Sequence, residues 1–144
     1  MKSDAQYWNT YYKEHFIAEA SPFAKFCHES FLTDEPLRMV EFGSGSGRDL
    51  RFFHHSGHRI TGYDTSVEAV NHVQSSYPEL DVVLGDFSSL PAIEGLDAIY
   101  SRWTLHSVDE EAGERALAWC AGNLPENGLL MIEVRTINDY LFGE

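Results

Sequence analysis

The stretch LRMVEFGSGSG, Leu37 to Gly47, constrains the fold of this chain more than any other. It runs apolar at Leu37, Met39, Val40 and Phe42, carries an acid at Glu41, then drops into Gly43, Gly45 and Gly47 separated by Ser44 and Ser46. Such a run reads as a buried strand and a tight loop, with a helix starting at Arg48. Glycines in the loop let a ligand approach the backbone without meeting a Cβ. The N–H groups of the following helix start would face that ligand. The spacing also separates two cofactor classes. A dinucleotide fingerprint needs a small residue at position 48, where this chain has Arg48, so a nicotinamide-dependent dehydrogenase is disfavoured.

Two later acids sit where such a loop needs them. RITGYD, Arg59 to Asp64, predicts a second strand with Asp64 at its carboxyl end, roughly 20 residues past the loop, a reach that suits a ribose diol. Thr65 beside it offers an N-cap to the next helix, with Glu68 completing a capping box. That helix is expected to bury Val67, Val70, Val73 and Tyr77 before Pro78 stops it. Leu80 to Leu84 predicts the third strand, closing with Gly85, Asp86 and Phe87. An acid beside an aromatic at a strand end can accept from an adenine amino group while the ring packs on the base.

The ordered set of EFGSGSG, Asp64 and GDF resembles the class I S-adenosylmethionine-dependent methyltransferases, in which the first motif cradles the methionine end of the cofactor. The resemblance covers nearly the whole chain. It implies that Glu41 orients the loop or the cofactor's ammonium and that Gly43, Ser44, Gly45 and Gly47 line the methionine end. It further implies Asp64, with Thr65 beside it, at the ribose and Asp86 with Phe87 at the adenine. The run SRWTLHSV after the fourth strand, Leu96 to Ser101, looks like the segment facing the methyl group in bacterial small-molecule members, with Ser101 and Arg102 bordering that site. His106 in this run is the candidate proton acceptor, because an imidazole near neutrality can take a proton from a hydroxyl or amine. Shaping of the pocket is the alternative role for it.

Ahead of the loop, Trp8, Tyr11, Tyr12 and Phe16 recur at helical spacing over about Ala5 to Glu19. Ser21 as N-cap and Pro22 at the first position open a second helix with an apolar stripe of Phe23, Phe26, Cys27 and Phe31. These two helices resemble the family's N-terminal caps, and the spacing of Trp8 and Tyr12 matches a pair that covers the cofactor in relatives. Packing alone is the other reading of that stripe. Between the loop and the second strand, Leu50 and Phe53 face a short helix inward and Gly57 ends it. His54, His55 and His58 are read as solvated residues at that helix end, not as metal ligands.

Ser107 and Glu110 predict a capping box for a helix carrying Ala112, Ala116, Trp119, Cys120 and Leu124. LLMIEV, Leu129 to Val134, then predicts a fifth strand buried on both faces. The expected architecture is an α/β Rossmann-like, doubly wound parallel sheet of order 3-2-1-4-5, without the strands 6 and 7 of the family. One domain spans residues 1–144, with cap helices over 1–35 and the core over 36–144.

Charge excludes some partners. Lys and Arg number 10 against 23 Asp and Glu, a net charge of −13, which repels phosphate backbones, so no nucleic-acid partner is expected. No run of signal-peptide or membrane-span character is visible, so a cytoplasmic location and no membrane partner are expected. Cys27 and Cys120 read as buried free thiols. The function implied is methyl transfer from S-adenosylmethionine to a small-molecule acceptor. A shortened, inactive cofactor-binding or interaction subunit that needs a partner is the alternative. A bare fifth strand is a pairing liability. Truncation, a cover supplied by a second copy as homodimer, or RTINDYLFGE folding back would each account for it.

Overall fold

The structure is a computed structural model and describes residues 19–136. The first expected cap helix, with Trp8 and Tyr12, lies outside the described residues. The elements are α1 (Pro22–Phe31), β1 (Arg38–Phe42), α2 (Arg48–His55), β2 (Arg59–Asp64), α3 (Val67–Ser76), β3 (Asp81–Leu84), β4 (Ala98–Arg102), a 3-10 turn (Leu105–Ser107), α4 (Glu110–Asn123) and β5 (Leu129–Glu133). The strands form one sheet in the order β3-β2-β1-β4-β5, every pair parallel, as the sequence predicts. Winding reverses beside β1, which pairs with β2 on one side and β4 on the other.

Alternation along the strands divides the core into two layers. Met39, Ala98 and Tyr100 pack with Leu50, Phe53, Val70 and Val73 of α2 and α3 and with Ala24 and Cys27 of α1. Val40, Phe42 and Ile99 pack on the opposite face with Ala116 and Cys120 of α4. Both faces of the central strands are therefore dry, which is why β1 and β4 read as near-continuous apolar runs. Cys27 and Cys120 are buried free thiols, each pushed up to about 11, chiefly by burial.

Several local expectations are corrected. Of the α1 stripe, Cys27 is buried, but Phe26 and Phe31 are 56% and 53% exposed, because the helix packs through Ala24 and Cys27 instead. In α3, Val67 is likewise exposed and Ala69 takes its place inside. Strand β5 is not buried on both faces: Met131 is buried, while Leu130 is 41% exposed, since among the described residues β5 ends the sheet and has a neighbour on one side alone. His58 is buried rather than solvated. Its Nδ1 accepts from the Leu37 N–H at 3.1 Å, and its Nε2 lies 3.3 Å from His28 Nδ1.

Candidate functional site

A cleft of about 510 Å³ opens at the carboxyl ends of β1, β2 and β4, where the winding reverses. One wall is Glu41, the loop from Gly43 to Ser46, Arg48, Asp49, Asp64, Thr65, Asp86, Phe87 and Ser88. The other is Arg102, Trp103, Thr104, Ser107, Val108, Asp109, Ala112 and Arg115.

The glycine loop is held from below by strand β2, whose Tyr63 carbonyl accepts from Gly43 N at 2.7 Å and Ser44 N at 3.3 Å. At Gly43 the backbone turns with φ 69°, and a Cβ there would overlap the side chain of Thr104. Thr104 Oγ1 in turn lies 3.2 Å and 3.1 Å from the Phe42 and Arg102 carbonyls. The loop and the segment after β4 are thus packed at van der Waals distance. Only glycine satisfies both the turn and the contact.

Asp64 joins the loop to the start of α3. Its Oδ2 accepts from Gly45 N and its Oδ1 from Ser66 N, both at 2.8 Å. Burial raises its pKa, against the opposing effect of backbone N–H bonds from Ser66, Gly45 and Thr65. The N-cap of α3 is Ser66, which accepts from Ala69 N, and not Thr65; Thr65 is exposed on the cleft wall. The asparagine-like turn made by Asp64 shifts the helix start by one residue, a detail that a capping-box pattern does not carry. Similarly, α4 is capped by Asp109 and not Ser107.

At the third strand, Asp86 Oδ1 accepts from Ser88 N at 2.8 Å and Ser88 Oγ at 2.7 Å. Phe87 is on the cleft wall but largely committed to the core, 5% exposed and stacked on Phe42 with centroids 5.0 Å apart. Only its rim is available to a ligand.

Glu41 is the least satisfied group in the cleft. It is buried, and among the described residues Oε1 has no hydrogen-bond partner. Burial, then the charges of Asp49 and Asp64, raise its pKa well above the usual carboxylate range. Ser44 Oγ is likewise buried without a partner. Two orphaned acceptors beside a loop with positive φ make a setting suited to a cationic, hydrogen-bonding ligand.

The sequence reading missed Asp49. This buried acid accepts from Ser21 N (2.7 Å), Ser21 Oγ (2.8 Å) and Tyr100 Oη (2.7 Å), joining α1, α2 and β4. A signal was present: Tyr100 lies in an otherwise apolar strand, and a buried tyrosine hydroxyl needs a partner. The Tyr100 hydroxyl is held protonated by burial and by Asp49. Trp103 and Thr104 belong to the run expected to face the methyl group but were given no role of their own, and the first turn of α4 was missed; the parallel pairing of β4 with β1 brings them to the loop.

Three expected site residues are not on the cleft wall. Gly47 is the left-handed N-cap of α2, and a Cβ on it would face the Val73 side chain in the core instead of the cleft. Ser101 is fully buried with its hydroxyl turned into the protein. His106 sits on the 3-10 turn with Nδ1 accepting from Arg135 N at 3.3 Å, directed toward the end of β5 instead of the cleft. Arg102 does line it, paired with Glu133 at 2.9 Å. Trp8 and Tyr12 lie outside the described residues. Among the described residues, no group of three His, Cys, Asp or Glu is arranged to hold a metal ion, and no helix is long and apolar enough to cross a membrane.

Comparison with known proteins places this geometry. Anthranilate N-methyltransferase of Ruta graveolens is 28% identical over 131 residues, 90% of this chain and 35% of that protein. The crystal structure of Burkholderia thailandensis 1,6-didemethyltoxoflavin-N1-methyltransferase, with 1,6-didemethyltoxoflavin and S-adenosylhomocysteine bound, superposes with a TM-score of 0.64 at 25% identity, over 77% of this chain and 49% of that one. The sugar N-methyltransferase KedS8 from Streptoalloteichus shares the fold alone, with a TM-score of 0.72 at 18% identity over 100% of this chain and 60% of that one. The chain spans 27% to 43% of the length of the curated relatives it matches. A family model described as "Methyltransferase domain" matches residues 40–132, from inside β1 to inside β5. With the sheet order, the loop and the cleft it describes, the chain belongs to this methyltransferase domain family.

Proposed function

We propose that the cleft binds S-adenosylmethionine and that the chain transfers its methyl group to a small-molecule acceptor. The observation that carries the reading is Glu41, a buried carboxylate with an orphaned oxygen at the mouth of a glycine loop, a setting that suits the cofactor's ammonium. When bound, the cofactor supplies an activated methyl on a sulfonium, whose sulfur keeps the electron pair as the methyl leaves. The protein's part is to hold and align. Gly43, Ser44 and Gly45 would line the methionine end and Asp64, with Thr65 beside it, the ribose. Asp86 and the rim of Phe87 would meet the adenine, and Arg102 would border the acceptor side. The acceptor's proton would leave to water through the open cleft. The domain acts as one unit over residues 1–144, in the cytoplasm, without a nucleic-acid or membrane partner; the net charge of −13 supports the first exclusion.

Calorimetric titration with S-adenosylmethionine and its demethylated product tests the reading. Asp64→Asn should weaken both ligands about 10- to 100-fold, the worth of a charge-assisted hydrogen bond. Binding of neither ligand to the wild type would overturn the proposal. Transfer of labelled methyl groups then separates an enzyme from a binding subunit.

That second reading, a subunit dependent on a partner, is favoured by the exposed β5 edge, with Leu130 and Val134 each 41% exposed. A parallel edge strand with apolar side chains invites pairing. A second copy of the chain is the cover we propose, and solution mass discriminates it from a monomer.

A further inference from the structure

Trp103 is the only non-glycine residue with positive φ, 56°, among the described residues. A Cβ disfavours this conformation, and glycine, or asparagine at lower cost, would adopt it more readily. The usual compensation for a strained tryptophan is burial of its ring, yet Trp103 remains 40% exposed. The surroundings nonetheless fix it from several sides. Its N–H donates to the Glu133 carbonyl at 2.7 Å. The Arg102 guanidinium lies 4.0 Å from the ring centroid and that of Arg135 5.1 Å from it. Arg102 is itself anchored by Glu133. The next residue, Thr104, is wedged against Gly43. The strain is therefore over-determined by neighbours, and its effect is to set a half-exposed indole on the wall of the cleft that the glycine loop also lines.

We propose that Trp103 is the acceptor-selecting residue of the cleft, a stacking platform for a planar aromatic acceptor. This rests on the reading of the glycine-loop side as the donor site. A ring laid on the indole would lie in the same cleft as the glycine loop, with a substituent nitrogen or oxygen open to the donor side. Stacking is indifferent to ring substituents but rejects saturated rings, which are neither flat nor π-rich. Arg102 and Arg135 hold the indole by cation–π contact, and the part of the residue that stays exposed is the surface offered to an acceptor ring.

The test uses the full chain saturated with S-adenosylhomocysteine. A panel of planar ring compounds (phenol, aniline, quinoline, indole and 2-aminobenzoate) is titrated against the corresponding saturated rings. The wild type should bind the best planar compound about 5- to 100-fold more tightly than its saturated counterpart, the range that stacking on an aromatic side chain gives. Trp103→Phe should keep the preference and Trp103→Ala should abolish it. Trp103→Gly, which relieves the backbone, should melt within about 5 °C of wild type or above it. No planar preference in the wild type, a preference surviving in Trp103→Ala, or a larger fall in the melting point of Trp103→Gly would overturn the proposal. Failure of S-adenosylhomocysteine to bind the wild type would instead strike the donor reading, and so the two failures are distinguishable.

Discussion

Glu41→Gln separates electrostatics from packing at the centre of the cleft. The substitution keeps the shape of the side chain and removes a charge that is buried beside Asp49 and Asp64. The folded protein raises this carboxyl above its unfolded pKa of 4.5, so the native state binds the more protons between those two values. By linkage, the contribution to stability is fully present below the unfolded pKa and is lost as pH rises through the folded one. Each unit of upward displacement is about 1.4 kcal/mol. An unsatisfied buried acceptor costs about 1–3 kcal/mol on its own account. Gln cannot ionise, so the variant should be more stable than wild type at pH 8 by about 1.4 kcal/mol for each unit of that displacement, with the gain vanishing toward pH 4.5. For a domain of this size each kcal/mol is a rise of about 3–5 °C in melting temperature. Thermal melts across the pH range measure it directly. Binding of a cationic ligand should reverse the ranking. The wild type would release a proton on binding S-adenosylmethionine, making the calorimetric heat depend on the buffer's ionisation enthalpy, and the variant would not. Melting curves for the two proteins that differ by a constant amount from pH 5 to 8 would refute the reasoning.

Two further perturbations test the frame around the cleft. Tyr100→Phe removes one of the three donors on Asp49 and should lower stability by about 1–2 kcal/mol in urea denaturation. Ser21→Ala should not add to it independently, because both hydroxyls converge on the same carboxylate oxygen. The second concerns His58, whose pKa is lowered by burial and then by His28. A histidine with a depressed folded pKa contributes stability that is present above its unfolded value of 6.5 and lost as pH falls through it. His58→Asn, which retains an acceptor for the Leu37 N–H, should flatten the decline in melting temperature below pH 6.5. An unchanged acid-side slope in that variant would assign the decline to other groups.

What was legible and what was not divides along a physical line. The strand order and the element sequence follow from local pattern, because a glycine loop between a strand and a helix, repeated apolar runs and right-handed crossovers leave few topologies open. Asp64 and Asp86 were also legible, since each stands at the end of its strand and parallel strands all point their carboxyl ends to one side. The helix caps were not. Asp64 bonding Ser66 N moved the start of α3, and Asp109 displaced Ser107, through short-range competition among several eligible side chains. Burial of edge residues was misread for a related cause. LLMIEV has the composition of a central strand, and only its place at the end of the sheet exposes Leu130.

The sequence by itself determined the glycine-loop side of the cleft: EFGSGSG, Asp64 and the GDF step are each contiguous in the chain, and their spacing encodes their arrangement. Only the tertiary structure decided the rest. Asp49 acquires meaning from Ser21 and Tyr100, 28 and 51 residues away along the chain. Ser101 and His106 sit in the expected segment but turn elsewhere, because alternation along β4 and the 3-10 turn set their directions. Trp103 reaches the cleft through a backbone conformation that no pattern of residue types predicts. Side-chain direction depends on contacts between elements distant in sequence, and those contacts form only when β4 lies against β1.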